Sequence, residues 1–264
     1  MTAPPYVSYS QLQIAKKCMY LYKLKYVTKE MVFAGNIYTT FGSALHSACE
    51  KKMVDDSVDA EKEFDVEFFN NLKTLPEKTL NDIKDNDIIK FRESGKNILP
   101  HVIPALKKHF EGMEVIDVEE ELFEPIDGFE KDFKGFIDLI IKTPDGQYHI
   151  IDYKTTSYWD ARKRSDAMTI YQLMLYKLFF SRKHDIPLDK ISTHFVLLSR
   201  TNKKNPVEVL PITSGNKRMQ NAEEMMHKHL KNIISEKYFK NLTSCTYCDG
   251  KEICAALKMS RLTK

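Results

Sequence analysis

The chain has 264 residues, enough to bury a good core as one large domain or as one domain with an inserted lobe. Hydrophobic residues make up 42% and charged residues 29%, the proportions of an ordinary soluble globular protein, and no internal repeat or low-complexity tract interrupts them. A net charge of +3 does not by itself argue for nucleic-acid binding, so a local basic path would have to do that. No apolar run approaches the length that spans a bilayer, and Met1 to Tyr6 lack the charged-then-apolar pattern of a secretory signal. The expectation is a cytoplasmic protein with no membrane partner, in which structural disulfides are disfavoured.

Residues 8 to about 27 predict a helix opened by Ser8 or Ser10, with Leu12, Ala15, Cys18, Met19 and Tyr22 at helical spacing. A second helix starts near Thr40 and carries Leu45, Cys49 and Met53 on one face. Residues 54–112 are charged and helical in pattern, broken near Pro76 and again near Pro100 and Pro104, and read as a helical lobe inserted before a sheet. From Val115 the period becomes that of strands, over 115–123, 133–141 and 148–153. A helix from about Arg162 to His184 follows, then strands at 193–198 and 207–210, an amphipathic helix over 215–238 and a cysteine-rich tail. Helices flanking a small mixed sheet place the chain in the α/β (α+β) class.

The strongest chemical signal lies in the predicted hairpin around Pro144-Asp145-Gly146. Asp138 interrupts one apolar run, Gly135-Phe136-Ile137-Asp138-Leu139-Ile140-Ile141. Asp152 and Lys154 interrupt the next, Ile150-Ile151-Asp152-Tyr153-Lys154-Thr155. Strand side chains repeat every second residue, so Asp152 and Lys154 share a face, and the hairpin can bring Asp138 opposite them. An exposed ion pair is the plain alternative and is worth about 0–1 kcal/mol. Both strands, however, are apolar at nearly every other position, as strands buried on two faces are. Two carboxylates and a lysine in such strands point to a divalent-cation site aimed at phosphate.

Three further patterns accompany it. In Phe41-Gly42-Ser43-Ala44-Leu45-His46-Ser47-Ala48-Cys49-Glu50, His46 and Glu50 are four residues apart and face the same way, and a neutral imidazole is a good ligand. Gln172 and Tyr176 likewise lie one helical turn apart, able to reach a phosphate or a base. Of five cysteines, Cys245, Cys248 and Cys254 form Cys-x2-Cys-x5-Cys, which can grip one metal centre if a distant fourth thiolate joins them. Cys18 is the natural fourth; Cys49, on an apolar helix face, fits a small buried hydrophobe. Four thiolates suit an iron–sulfur cluster and tetrahedral zinc alike. Basic residues outline a candidate nucleic-acid track: Lys16, Lys17, Lys23 and Lys25, then Arg162, Lys163 and Arg164, then Lys203, Lys204, Lys217 and Arg218. Tyrosines and Trp159 lie among them for stacking on unpaired bases, although lysine-rich faces also simply solvate helices. No Gly-x4-Gly-Lys-Ser/Thr phosphate loop occurs, so any motor acting with this chain is a separate polypeptide.

The ordered set resembles the RecB-like branch of the PD-(D/E)XK nuclease superfamily, in its iron–sulfur subgroup. That subgroup includes the AddB nuclease domain, the CRISPR adaptation exonucleases and exonuclease V-type proteins. The matching pieces are Gly42-x3-His46-x3-Glu50, Gly135-x2-Asp138, Asp152-x-Lys154, Gln172-x3-Tyr176, and Cys18 with the terminal cysteine trio. Met19 departs from the pattern, since a proline commonly follows that first cysteine. The resemblance implies a restriction-endonuclease-like mixed sheet flanked by helices, a single domain over 1–264 with 54–112 as a helical insertion. It implies Mg²⁺ or Mn²⁺ held by His46, Asp138, Asp152 and the carbonyl of Tyr153. Lys154 would orient and help deprotonate the attacking water, with Gln172 and Tyr176 steadying the site and the DNA backbone. It also implies a [4Fe–4S] cluster on Cys18, Cys245, Cys248 and Cys254, zinc being the less favoured occupant, as a staple between the first helix and the tail. The implied activity is DNA hydrolysis, on single strands or free ends, in repair or recombination beside a separate helicase or recombination partner. A structure-selective endonuclease and a non-catalytic, zinc-stapled nucleic-acid-binding relative are the alternatives.

Overall fold

A computed structural model describes residues 3–157, 159–201, 204–248, 250–251 and 253–254. In chain order it has strand β1 (Tyr6–Ser8), helices α1 (Tyr9–Lys17) and α2 (Met19–Tyr22), a π-helical turn over Lys23–Val27, then α3 (Ile37–Val54), α4 (Ala60–Lys73), α5 (Glu77–Asn81) and α6 (Asp85–His109). Strands β2 (Glu114–Pro125), β3 (Asp132–Lys142) and β4 (Tyr148–Thr156) follow. Helices α7 (Ala161–Ser165) and α8 (Ala167–His184), strands β5 (Ile191–Ser199) and β6 (Val207–Ile212), and α9 (Asn216–Ile234) complete the order, with short 3₁₀ segments at Leu188–Lys190 and Leu242–Tyr247. The described residues form two compact units, one from Met1–Phe33, Phe123–Gly135 and Gln220–Lys264, the other from Ala34–Leu122 and Phe136–Met219.

The second unit is built on the hairpin. Gly146 takes φ of 82°, where a side chain would strain the backbone, and the turn closes with Thr143 N–H donating to the Gln147 carbonyl at 3.0 Å. Strands β3 and β4 are antiparallel, β4 and β5 parallel, β5 and β6 antiparallel. A parallel pair needs a long crossover, and α8 supplies it. Residues 139, 141, 151, 153, 196 and 198 share one sheet face and pack with Phe41, Leu45, Phe64 and Leu106 of α3, α4 and α6. The other face meets α8, where Tyr148 lies against Phe180 and Lys154 reaches Gln172. Burial on both faces explains why these strands read as nearly continuous apolar runs.

In the first unit, β1 runs parallel to the opening residues of β3, Tyr6 opposite Asp132 and Ser8 opposite Lys134. Ser8 also caps α1, its side chain accepting from Gln11 N–H at 3.3 Å. This strand escapes sequence patterning because three residues carry no period.

Several boundaries differ from expectation. The helix predicted over 8–27 breaks at Cys18, which is extended (φ −167°, ψ 119°) and presents its thiol beside residues 239–241. Pro100 and Pro104 lie inside an unbroken α6, although each removes one helical hydrogen bond. There the buried stripe of Ile98, Leu99, Val102 and Leu106 outweighs a propensity penalty of about 3 kcal/mol per proline. Near Pro76 the predicted break does occur. The helix expected over 162–184 divides at Asp166, whose carboxylate accepts from Thr169 N–H at 2.8 Å and caps α8. A mixed sheet flanked by helices is nonetheless the predicted class. Among the described residues no helix is long and apolar enough to cross a membrane.

Candidate active site

The β3–β4 ladder stops at Leu139 opposite Ile151. Just beyond, Tyr153 N–H donates to Asp138 Oδ2 at 2.7 Å, so a carboxylate receives the amide and the strands part around two acids. Asp152 is buried, 3% exposed, and its Oδ2 lies 2.6 Å from Lys154 Nζ. Lys154 Nζ donates to Gln172 Oε1 at 2.8 Å, and Gln172 Nε2 donates to Tyr176 Oη at 3.1 Å. Four of the sequence-predicted residues thus form one chain from β4 to α8, which the four-residue spacing of Gln172 and Tyr176 allows.

Helix α3 approaches from the opposite face of the sheet. Asn36 and Thr39 form a reciprocal capping box that fixes its start. A Cβ on Gly42 would stand only 3.2 Å from Thr155 Oγ1, so the glycine lets α3 lie close against β4. One turn on, His46 Nδ1 is 3.5 Å from Asp138 Oδ2, and its ring meets Tyr153 edge-on with centroids 5.6 Å apart. Another turn on is Glu50. Ligand atoms of His46, Glu50 and Asp138 all lie within 4.8 Å of one another. Glu50 Oε1 is buried with no hydrogen-bond partner among the described residues.

Crowded negative charge is the electrostatic character of this place. Burial pushes the Glu50 carboxyl up to about 8, with Glu119 and Asp138 adding to the effect. Burial raises Asp152 to about 6 despite the opposing pull of Lys154. Burial pulls the His46 imidazole down, but the charge of Asp138 and the hydrogen bond to it prevail, and the net shift is upward. A cation set among these groups would relieve each of them.

The grouping includes one residue outside the predicted ligand set. Glu50 joins His46 and Asp138, while Asp152 turns to Lys154. The spacing of four between His46 and Glu50 was the available signal for that role. In the first unit, Cys18, Cys245, Cys248 and Cys254 all line one small cavity of about 60 Å³. Cys49 is instead buried in the core of the second unit. Arg164 is clamped by Glu208 through two bonds of 2.9 and 2.7 Å, whereas Arg162 and Lys163 are exposed. Trp159 packs on Phe195 with centroids 5.8 Å apart, and Lys203 lies outside the described residues. Sequence reading passed over Arg200, whose guanidinium lies 5.0 Å from the Tyr38 ring and 4.6 Å from that of Phe91.

The PD-(D/E)XK nuclease superfamily model matches residues 6–255. The chain belongs to that superfamily. No curated protein matches it. Among solved structures, this nuclease-family chain is similar to a protein from Eubacterium rectale provisionally named an exonuclease, with a TM-score of 0.62 and 14% identity over 94% of this chain and 87% of that one. At that identity the likeness speaks for the fold. The structure of SSO0001, at 15% identity over 83% of this chain and 97% of that one, reaches a TM-score of only 0.39 and carries no argument.

Proposed function

We propose that this protein is a divalent-metal-dependent deoxyribonuclease of the RecB-like branch, acting as an exonuclease on single-stranded DNA or DNA ends. The observation that carries the reading is the meeting of two groups at the parted strands. His46, Glu50 and Asp138 cluster within 4.8 Å, and Asp152, Lys154, Gln172 and Tyr176 form one bonded chain beside them.

The donor set fits the implied cation. Carboxylate oxygens suit Mg²⁺ and Mn²⁺, the imidazole favours Mn²⁺, and the unpartnered Glu50 Oε1 is the kind of buried atom a cation satisfies. His46, Asp138, Asp152 and the Tyr153 carbonyl would hold it, with Glu50 added to the set. A bound divalent cation supplies a nucleophile at neutral pH and offsets charge developing on the phosphoryl oxygens. Lys154, held between Asp152 and Gln172, would orient the attacking water and help to deprotonate it. Gln172 and Tyr176 fix the rotamer of that lysine. Arg162 and Lys163 offer exposed cationic contacts to the DNA backbone, while Arg164 anchors α7 to Glu208.

We assign the cysteine cavity to a [4Fe–4S] cluster with a structural role. Asn241 N–H donates to Cys18 Sγ at 3.4 Å, and Lys240 and Lys251 line the same cavity to balance an anionic cluster. A Cβ on Gly250 would come within 3.1 Å of both Leu21 and Met31, so the cradle needs a glycine there.

The deciding experiment digests end-labelled linear and closed circular DNA, single- and double-stranded, with Mg²⁺ or Mn²⁺, beside Asp152→Ala. Release from labelled ends, with circles spared and the variant inactive, is expected. Cleaved circles would make the protein an endonuclease, and equal activity of Asp152→Ala would refute the site.

A further inference from the structure

Three histidines gather on the sheet face that carries the α3–α6 core. His149 lies near the start of β4, His194 on β5, and His109 ends α6. The register sets Ile151 beside His194 and His149 beside Ser192, so the two histidines are diagonal neighbours on one face. His149 Nδ1 and His194 Nε2 are 3.1 Å apart, and the His109 ring centroid is 5.8 Å from that of His194. With Glu111, Thr143 and Asp145 they line an open cavity of about 370 Å³. Asp152 lies three strand positions, roughly 10 Å of chain, beyond His149, and the two side chains point to opposite faces. The cluster is therefore distinct from the nuclease site.

We propose that His149 Nδ1 and His194 Nε2, joined by His109, bind a first-row transition cation such as Zn²⁺. Zinc bonds imidazole nitrogen at about 2.0–2.1 Å, so two such ligands at a tetrahedral angle stand about 3.3–3.4 Å apart. The observed 3.1 Å lies within a few tenths of that spacing. His149 already has the outer support that ligating histidines use: its Nε2 is 3.0 Å from Thr143 Oγ1, which donates in turn to Asp145 Oδ1. His194 is 6% exposed, and its Nε2, the proposed ligand atom, is held facing His149 Nδ1. His109 is exposed at the end of its helix, its ring edge-on to that of His194, and would rotate to reach the ion. Glu111 and Asp145 at the cavity wall would offset the charge of the ion. Burial also keeps both strand histidines in the neutral form that binds metal, driving His194 down to about 3 and lowering His149.

The test is Zn²⁺ titration of the full-length protein as isolated, by calorimetry, with excess Mg²⁺ present to occupy the nuclease site. One Zn²⁺ per chain is expected, with affinity falling at least tenfold in His149→Gln and in His194→Gln and several-fold in His109→Gln. It should be unchanged in Asp138→Asn, which separates this site from the nuclease reading. In case the buried variants misfold, histidine ring resonances of the wild type are followed by NMR, and Zn²⁺ should shift the same three rings. Uptake unaltered in His149→Gln and His194→Gln, no uptake at all, or ring shifts confined to other histidines would overturn the proposal.

Discussion

Gly95 sits in α6 where that helix crosses α4, and replacing it with alanine should destabilise the protein even though alanine is the better helix former. A Cβ there would overlap two atoms of the Phe64 ring and stand 2.9 Å from a third. Phe64 has nowhere to retreat. It meets Phe41 edge-on at 5.7 Å and stacks on Phe68 at 5.5 Å, and all three rings are essentially inaccessible to solvent. Overpacking of a tight core costs typically about 1–3 kcal/mol, and a full overlap falls at the upper end. Helix propensity returns about 1 kcal/mol, which leaves a net loss of roughly 1–2 kcal/mol. For a chain of this size each kcal/mol lowers Tm by about 2–4 °C, so a fall of about 2–8 °C is expected in calorimetric melts. Phe64→Leu should relieve the overlap, making Gly95→Ala less harmful in the double variant than the single changes add up to, by at least about 0.5 kcal/mol. A Gly95→Ala protein as stable as the wild type, or a strictly additive pair, would show that the packing described for these helices is wrong. The effect also bears on the site, because Phe41 precedes His46 on α3 by little more than one turn.

Other consequences are as direct. Lys154→Met should lower kcat on labelled DNA by about 10²-fold or more with KM little changed, since the ammonium acts on developing charge; a wild-type kcat would remove lysine from the chemistry. Cys248→Ala should yield a colourless, poorly soluble protein without iron on elemental analysis, and a brown, fully stable variant would sink the cluster assignment. In chelator-treated protein, His194 should make stability pH-dependent. Its folded pKa, near 3, lies below the unfolded 6.5, so the unfolded chain takes up the proton first. Its contribution is whole above pH 6.5 and is lost as pH falls from there toward 3, and urea melts of His194→Phe should show a shallower acid decline. An identical slope in the variant would place the titration elsewhere.

Much of the candidate site was legible because strand and helix periods are local properties. The alternation around Asp138 and Asp152 named the paired strands, and spacings of four named His46 with Glu50 and Gln172 with Tyr176. The proline-broken helix was misread for the same reason: Pro100 and Pro104 argue locally for a break, while the packing that sustains α6 comes from residues far away in sequence. Partnership among distant side chains has no local signature. Nothing near Arg164 announces that Glu208 engages it, and nothing near His149 announces His194.

By itself, then, the sequence determined the class of fold, the acids and lysine of the hairpin, and the cysteine spacing, since each depends on residues within a few positions of one another. Only the tertiary structure decided that the strands part at Asp138, that Glu50 stands with His46 and Asp138 while Asp152 pairs with Lys154, and that three histidines meet across β4, β5 and α6. Those outcomes depend on strand register and on how close α3 can lie to β4, which are set by the packing of the whole sheet and its helices.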